Sequence, residues 1–125
     1  EQFRRRWPAV QLVGKDIVTP GLYVRTLDGY AVGQAVAMTT WGVALGHGDV
    51  AEARQIIHRI NVDARPAFES WADFGLSYVT GRIMHWTDGN LDDKSFDRYG
   101  DSWSEFKAAA TATRNGPWAT LPWSL

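Results

Sequence analysis

The chain of 125 residues contains no cysteine. Disulfide bridges, thiolate nucleophiles and cysteine-ligated zinc are therefore excluded. A strong charge of either sign is also missing, because 13 basic residues stand against 14 acidic ones and the net charge is -1. Without a positive field we expect neither a nucleic-acid partner nor binding to an anionic membrane. The lack of cysteine suits the cytoplasm, which is the location we predict.

A hydrophobic run long enough to cross a membrane is missing as well. The uncharged stretch of residues 30–45 is too short and too rich in threonine, since a span takes about 20 apolar residues. A helix that is apolar on all sides belongs in the middle of a bundle, so we place this one at the centre. Its small residues would let neighbouring backbones approach closely: Gly33, Ala35, Ala37 and Gly42.

Local signals predict three further helices. Asp49 and Ser102 each precede a glutamate by three residues, a capping-box spacing that begins the second and the fourth helix. Between them, Pro66 suits the first turn of an aromatic helix that ends near Trp86. The polar, aspartate-rich residues 87–100 predict a loop. The tail, residues 116–123, contains two prolines and predicts an extended strap that tryptophans pin to the bundle.

These signals together predict one all-α domain over residues 1–125, a bundle of about four helices around the central uncharged helix. Residues 29–125 form the helical core. Residues 1–28 are an irregular segment, in which residues 10–13 and 22–27 have the pattern of two short strands. A helix followed by a loop is the alternative for that segment.

The aromatic helix carries an arginine among large rings. At about 100° per residue, one face collects Trp71, Phe74, Gly75, Tyr78, Arg82, His85 and Trp86. In such surroundings Arg82 is either a structural cation–π anchor or a site for an anion, because guanidinium stays charged and offers a planar fork of donors. The candidate ligand-binding residues are therefore Arg82, Trp71, Tyr78, His85 and Trp86.

The sequence contains no motif of a recognised catalytic or cofactor site. None of the 3 histidines has the i, i+4 partner of a helical zinc site. The serines lie outside any glycine-flanked nucleophile elbow, and no glycine loop has the spacing that cradles a phosphate. We therefore expect no metal and no cofactor, and the sequence assigns no catalytic residue.

Three groups of residues, each present once, follow one another along the chain. The first is Gly33, Trp41 and Gly42 in the uncharged helix. The second lies in the aromatic helix and the third in the tail: Ser70-Trp71, Phe74-Gly75, Ser77-Tyr78, Gly81-Arg82 and Trp86, then Gly116-Pro117-Trp118 and Leu121-Pro122-Trp123. Over residues 29–125 this set resembles the bacterial family called domain of unknown function 1266.

The resemblance implies a helical fold and a bacterial origin, and it brings no assigned activity. Two positions depart from the family pattern, because Ala31 stands where the family has aspartate and Gln34 where it has arginine. A charged pair at these positions therefore cannot act in this chain.

Two functions remain open on this basis. The leading hypothesis is a binding or protein-interaction module without catalysis, because the aromatic surface is rich and a catalytic set is missing. The alternative is an enzyme or toxin-like effector that binds an anionic ligand, a phosphate or a carboxylate, through Arg82 in an aromatic cleft. The partner is accordingly an unknown protein or a small anionic ligand, and a homo-oligomer is compatible with both hypotheses.

Overall fold

A computed structural model describes residues 24–90, 92–111, 116 and 120–123. In these ranges all regular structure is helical, as the sequence predicts. The helices are α1, Asp28–Ala44; α2, Val50–Ala64; α3, Trp71–Trp86; and α4, Asp93–Thr111. A short 3-10 helix, Arg65–Ala67, joins α2 to α3. The predicted irregular or strand segment lies outside the described residues as far as residue 23, and residues 24–27 are not helical.

The helices pack in the spatial order α2, α1, α3, α4. The uncharged helix α1 thus lies between two others, but burial is concentrated in α3, which supplies Leu76, Val79 and Ile83 to the core. In α1 only Gly29 is buried, and Met38 and Trp41 are 65% and 59% exposed. Because α2 and α3 cover only part of its circumference, an uncharged composition does not bury this helix.

Contacts between α1 and α3 depend on small groups. The Ser77 hydroxyl accepts a hydrogen bond from the Gly29 N–H (2.9 Å) and donates one to the Thr26 carbonyl (2.7 Å). Further along, the Tyr78 ring lies directly on Gly33, where an added Cβ would collide with it. The close approach predicted at Gly33 is therefore present, whereas Gly42 faces open space.

The second close contact joins α3 to α4. Gly75 lies against the Phe106 ring and leaves no room for a Cβ. Deeper in the core, the Thr80 hydroxyl donates to the Tyr99 hydroxyl over 3.3 Å. Burial raises the pKa of Tyr99 to about 12, because the charged phenolate is poorly solvated there.

The beginnings of α2 and α3 follow local rules. Asp49 caps α2 and accepts a hydrogen bond from the Glu52 N–H over 2.8 Å, as the capping-box spacing predicts. The Ser70 side chain caps α3 and accepts from the Asp73 N–H over 3.1 Å. Pro66, expected in the first turn of α3, lies instead in the 3-10 helix, because Ser70 supplies the cap four residues later.

The start of α4 was predicted in the wrong place. Residues 93–100 are helical rather than a loop, and Ser102 lies inside the helix. The cap is Asp92, whose carboxylate accepts hydrogen bonds from the Ser95 hydroxyl over 2.6 Å and from the Ser95 N–H over 2.8 Å. These two bonds lower the pKa of the Asp92 carboxyl. Aspartates favour a helix start, since the N-terminal dipole is positive. The apolar stripe of α4 is Phe96, Tyr99, Trp103 and Phe106.

One backbone hydrogen bond is described within the tail. The Thr120 N–H donates to the Gly116 carbonyl over 3.1 Å, the spacing of one α-turn. Trp118 lies outside the described residues, so its predicted role as a pin is untested. Trp123 does pin the tail, as shown below.

Candidate functional site

A pocket of about 390 Å³ opens where α1, the end of α2 and the beginning of α3 meet. Its volume falls in the range of about 300–1,000 Å³ typical of small-molecule sites. The aliphatic part of its lining comes from Val32 and Val36 on α1 and from Ala64 on α2. These side chains are half-buried, so a bound group would shield them from water.

Three aromatic rings form another wall of the pocket. Trp71 and Trp123 meet edge to face with their ring centroids 4.8 Å apart. Phe74 lies 6.0 Å from the Trp123 ring at an interplanar angle of 30°. Rings in this arrangement offer both edges and faces to an apolar ligand.

The tail closes the pocket through two indole hydrogen bonds that run in opposite directions. The Trp71 Nε1–H donates to the Leu121 carbonyl over 2.9 Å. The Trp123 Nε1–H donates to the Phe68 carbonyl over 2.8 Å. Each indole thus satisfies its polar group and still presents its ring to the pocket, which fixes residues 121–123 as a wall.

A polar cluster behind this wall fixes the start of α3. The Asp73 carboxylate, 5% exposed, accepts from the Glu69 N–H over 2.9 Å and from Arg25 Nη2 over 2.6 Å. Arg25 also reaches the Glu69 carboxylate at 2.7 Å. The hydrogen bond to Asp73 raises the pKa of the Arg25 guanidinium above its ordinary value. This arginine is therefore structural.

Two polar side chains line the pocket besides the apolar ones. Asn61 and Arg65 lie one helical turn apart at the end of α2, on the same side of the helix. Arg65 is half-buried and Asn61 is exposed. In the described ranges no carboxylate pairs with the Arg65 guanidinium, and neither side chain makes a hydrogen bond.

The predicted ligand-binding residues occupy separate places on α3. Trp71 lines the pocket. Tyr78 and His85 both lie near Tyr30, with ring centroids 5.6 Å and 5.4 Å from its ring centroid. Because residues 71 to 86 extend over about 22 Å, rings on one helix face need not meet.

Arg82 lies near the end of α3, and it is not among the residues that line the pocket. Its guanidinium is 4.2 Å from the centroid of the Trp86 ring, and Trp86 itself is 56% exposed. Within the part of the chain that the structure describes, no carboxylate pairs with this guanidinium either. The arrangement is a cation–π stack on the surface, covered by a ring on one side.

Sequence reasoning missed Arg65 and Asn61. They belong to a different helix from the aromatic face, and no spacing in the sequence links α2 to the tail. The motif Leu121-Pro122-Trp123 was the available signal, since it marked the tail as a segment that packs on the bundle.

The residues that the structure describes form neither a metal-ligating cluster nor a membrane helix. Among the described residues, no three metal-ligating side chains come together. Of the helices in the same ranges, none is long and apolar enough to cross a bilayer.

Comparison with models of known protein families shows which family the chain belongs to. A family model described as "Protein of unknown function (DUF1266)" matches residues 4–123. The chain therefore belongs to this family, as its three motifs predict, and the match extends into the N-terminal segment that the resemblance had left out. No curated protein and no solved structure matches the chain significantly. Function therefore has to be argued from the pocket.

Proposed function

We propose that this domain is a binding module without catalysis, and that the pocket between α1, α2, α3 and the tail is its site. The occupant is a small apolar or aromatic group. The observation that carries the proposal is a pocket of about 390 Å³ with three aromatic rings and aliphatic side chains in its walls. Seating a ring there removes apolar surface from water, worth about 25 cal/mol for each Å².

The chemistry of the lining supports binding over catalysis. General acid–base and nucleophilic catalysis use carboxylates, imidazoles, hydroxyls or thiols close to the reacting atoms. Besides two indole N–H groups that are bonded to backbone carbonyls, the lining residues in the described ranges supply an amide and a guanidinium as polar side-chain groups. These groups orient a ligand, and they exchange no proton with it near neutral pH. The cysteine-free composition and the family resemblance support a place in a bacterial cytoplasm.

The test is to fill the pocket from a side chain that lines it. Ala64→Leu puts three additional carbon atoms into the pocket at the end of α2. The control is Ala51→Leu, an exposed alanine in the first turn of the same helix. The probe is naphthylacetamide, a neutral molecule with a large apolar body, titrated by calorimetry.

We expect the parent and Ala51→Leu to bind one probe per chain with equal affinity. Ala64→Leu should bind it about tenfold more weakly or not at all, since the pocket is partly filled. Thermal melting of each variant checks that the fold is intact. Absence of binding by the parent, or equal binding by Ala64→Leu, would contradict the proposal.

An exposed apolar face favours a second candidate function, contact with a second copy of this chain. Met38, Trp41 and Leu45 lie on one side of the α1 end and are 65%, 59% and 72% exposed. Tryptophan and methionine are enriched in protein interfaces. Residues 29–45 carry no charge, so two copies of this face meet without like charges opposing each other.

The oligomeric state decides this second candidate. Light scattering during size-exclusion chromatography should show a dimer for the parent and a monomer for Trp41→Lys. Trp86→Lys, which changes an exposed tryptophan on α3, should remain dimeric. A parent that stays monomeric at millimolar concentration would remove this candidate.

A further inference from the structure

We propose that the ligand of the pocket carries a carboxylate and that Arg65 binds it. The proposal rests on the proposed function, because it requires the pocket to be the binding site. It adds the chemical class of the ligand: a compact apolar or aromatic body with a single carboxylate, in place of a purely apolar group.

Arg65 is half-buried and lines an apolar pocket. Partial burial of a charge is unfavourable unless an opposite charge or acceptors replace the lost water. Within the described chain no carboxylate, carbonyl or hydroxyl is hydrogen-bonded to this side chain. A ligand carboxylate supplies both the charge and the acceptors.

Arg65 differs from three other arginines of the described chain. Arg25 contacts the carboxylates of Asp73 at 2.6 Å and Glu69 at 2.7 Å. Arg59, exposed on α2, lies 4.0 Å from Asp63. Arg82 has no acidic neighbour within the described ranges, but its guanidinium stacks on the Trp86 ring at 4.2 Å. For Arg65 the described residues supply neither a carboxylate nor a stacking ring, and it lines a pocket that a ligand can enter.

The charge of the pocket favours a carboxylate over a phosphate. Among the described lining residues, Arg65 is the one cation, so the pocket balances a single negative charge. A carboxylate carries one charge and matches the planar guanidinium fork with two parallel hydrogen bonds. A phosphate monoester carries about -1.5 to -2 at neutral pH and would remain partly uncompensated. The Asn61 amide, one turn before Arg65, offers a further donor.

The aromatic walls of the pocket indicate the shape and polarity of the rest of the ligand. The rings of Trp71, Phe74 and Trp123 favour an aromatic or alicyclic body, which packs on ring faces and edges. The pocket therefore fits an aryl- or cycloalkyl-carboxylic acid, with its ring among these side chains and its acid group at the end of α2.

The experiment compares two matched probes, naphthylacetate and naphthylacetamide, which share the apolar body and differ in charge. Calorimetry measures both with the parent, Arg65→Met, Arg65→Lys and Arg54→Met. Arg54 is an exposed arginine in α2, the helix before Arg65, and is the matched control. Thermal melting confirms that each variant is folded.

We expect the parent to bind the acetate about tenfold more tightly than the amide, the size of a charge-assisted hydrogen bond. Arg65→Met should lose this preference while it keeps the affinity for the amide. Arg65→Lys should retain part of the preference, because the charge stays and the fork is lost. Arg54→Met should behave as the parent.

The other outcomes separate the two proposals. Equal affinity of the parent for both probes would overturn the carboxylate while the pocket remains a binding site. A preference that survives in Arg65→Met would overturn the role of Arg65. If the parent binds neither probe, the proposed function fails, and the carboxylate proposal fails with it.

Discussion

The two halves of this molecule use hydrophobic residues in opposite ways. In α3, buried positions include polar and small residues such as Ser77, Thr80 and Gly75, because the neighbouring helices approach closely. In α1, which carries no charge beyond its first residue, Met38 and Trp41 remain largely exposed. Since α1 and α3 each lie between two helices, burial in this fold depends on how completely neighbouring segments cover a helix more than on its composition. Residues 25–26 and the tail also pack on α3. The α3–α4 half holds the core, and the α1–α2 half keeps apolar side chains exposed.

The largest expected effect on stability comes from replacing a leucine by alanine, and we compare one leucine from each half. Leu76 is fully buried in α3, whereas Leu45 at the end of α1 is 72% exposed. Leu76→Ala should lower the free energy of unfolding by about 2–5 kcal/mol, through lost transfer energy and a cavity. Leu45→Ala should change it by less than about 0.5 kcal/mol. Chemical denaturation measures both free energies of unfolding. Similar losses in the two variants would contradict the difference in burial between the two halves.

Alkaline pH should weaken the core through Tyr99. Its pKa rises from 10.0 in the unfolded chain to about 12 in the folded one, so the folded state holds the proton more tightly. The stability from the neutral phenol is complete below pH 10 and is lost as the pH rises through the folded value. Up to about 2–3 kcal/mol should disappear over this window.

Tyr99→Phe is the control for this prediction, because it keeps the ring and removes the titrating group. Denaturation followed by circular dichroism should show a steep loss of stability above pH 10 for the parent and a flatter one for the variant. Parallel losses in the two proteins would show that Tyr99 is not the group responsible.

A smaller effect on stability is expected at Trp123, where the tail contacts the residues that precede α3. Trp123→Phe removes the indole N–H that donates to the Phe68 carbonyl over 2.8 Å, and it keeps a ring at the pocket. We expect a loss of about 1 kcal/mol in the free energy of unfolding, typical of one hydrogen bond. Binding of naphthylacetamide should weaken as well, since the wall is less fixed. Unchanged affinity together with unchanged stability would show that the tail does not close the pocket.

The smallest effect is expected at Arg82, on the outer end of α3. The guanidinium stacks 4.2 Å from the Trp86 ring, and that ring is 56% exposed. Arg82→Met should therefore cost only about 0.5–1 kcal/mol, the range for exposed cation–π pairs. If thermal melting shows a loss of several kcal/mol in stability, Arg82 belongs to the buried core of the α3–α4 half and not to its surface.

Much of the fold was predictable because its signals are local. The cap at Asp49 bonds Glu52 as its spacing predicts, and α3 ends at Trp86 as expected. The start of α4 was missed because an aspartate-rich stretch resembles a loop, and its cap at Asp92 was not recognised. The sequence also could not predict which helix is buried, because burial of α3 depends on the segments that pack on it in the folded structure.

The site was harder to predict than the fold for the same reason. Sequence periodicity identified an aromatic face and an arginine, Arg82, that share it. The pocket takes Trp71 and Phe74 from that face and not Arg82, and it adds Arg65 from the 3-10 helix after α2 and Trp123 from the tail. No periodicity relates residues on three separate segments, so only the packing of helices could bring them together.

The most direct test of the central claim is to locate a bound probe on the protein. The indole N–H resonances of Trp71 and Trp123, assigned by Trp→Phe variants, report on the pocket, and those of Trp41 and Trp86 report on the exposed surfaces. Titration with naphthylacetate should shift the Trp71 and Trp123 signals together and saturably, and leave the other two in place. Shifts confined to Trp41 or Trp86 would contradict the assignment of the pocket as the binding site.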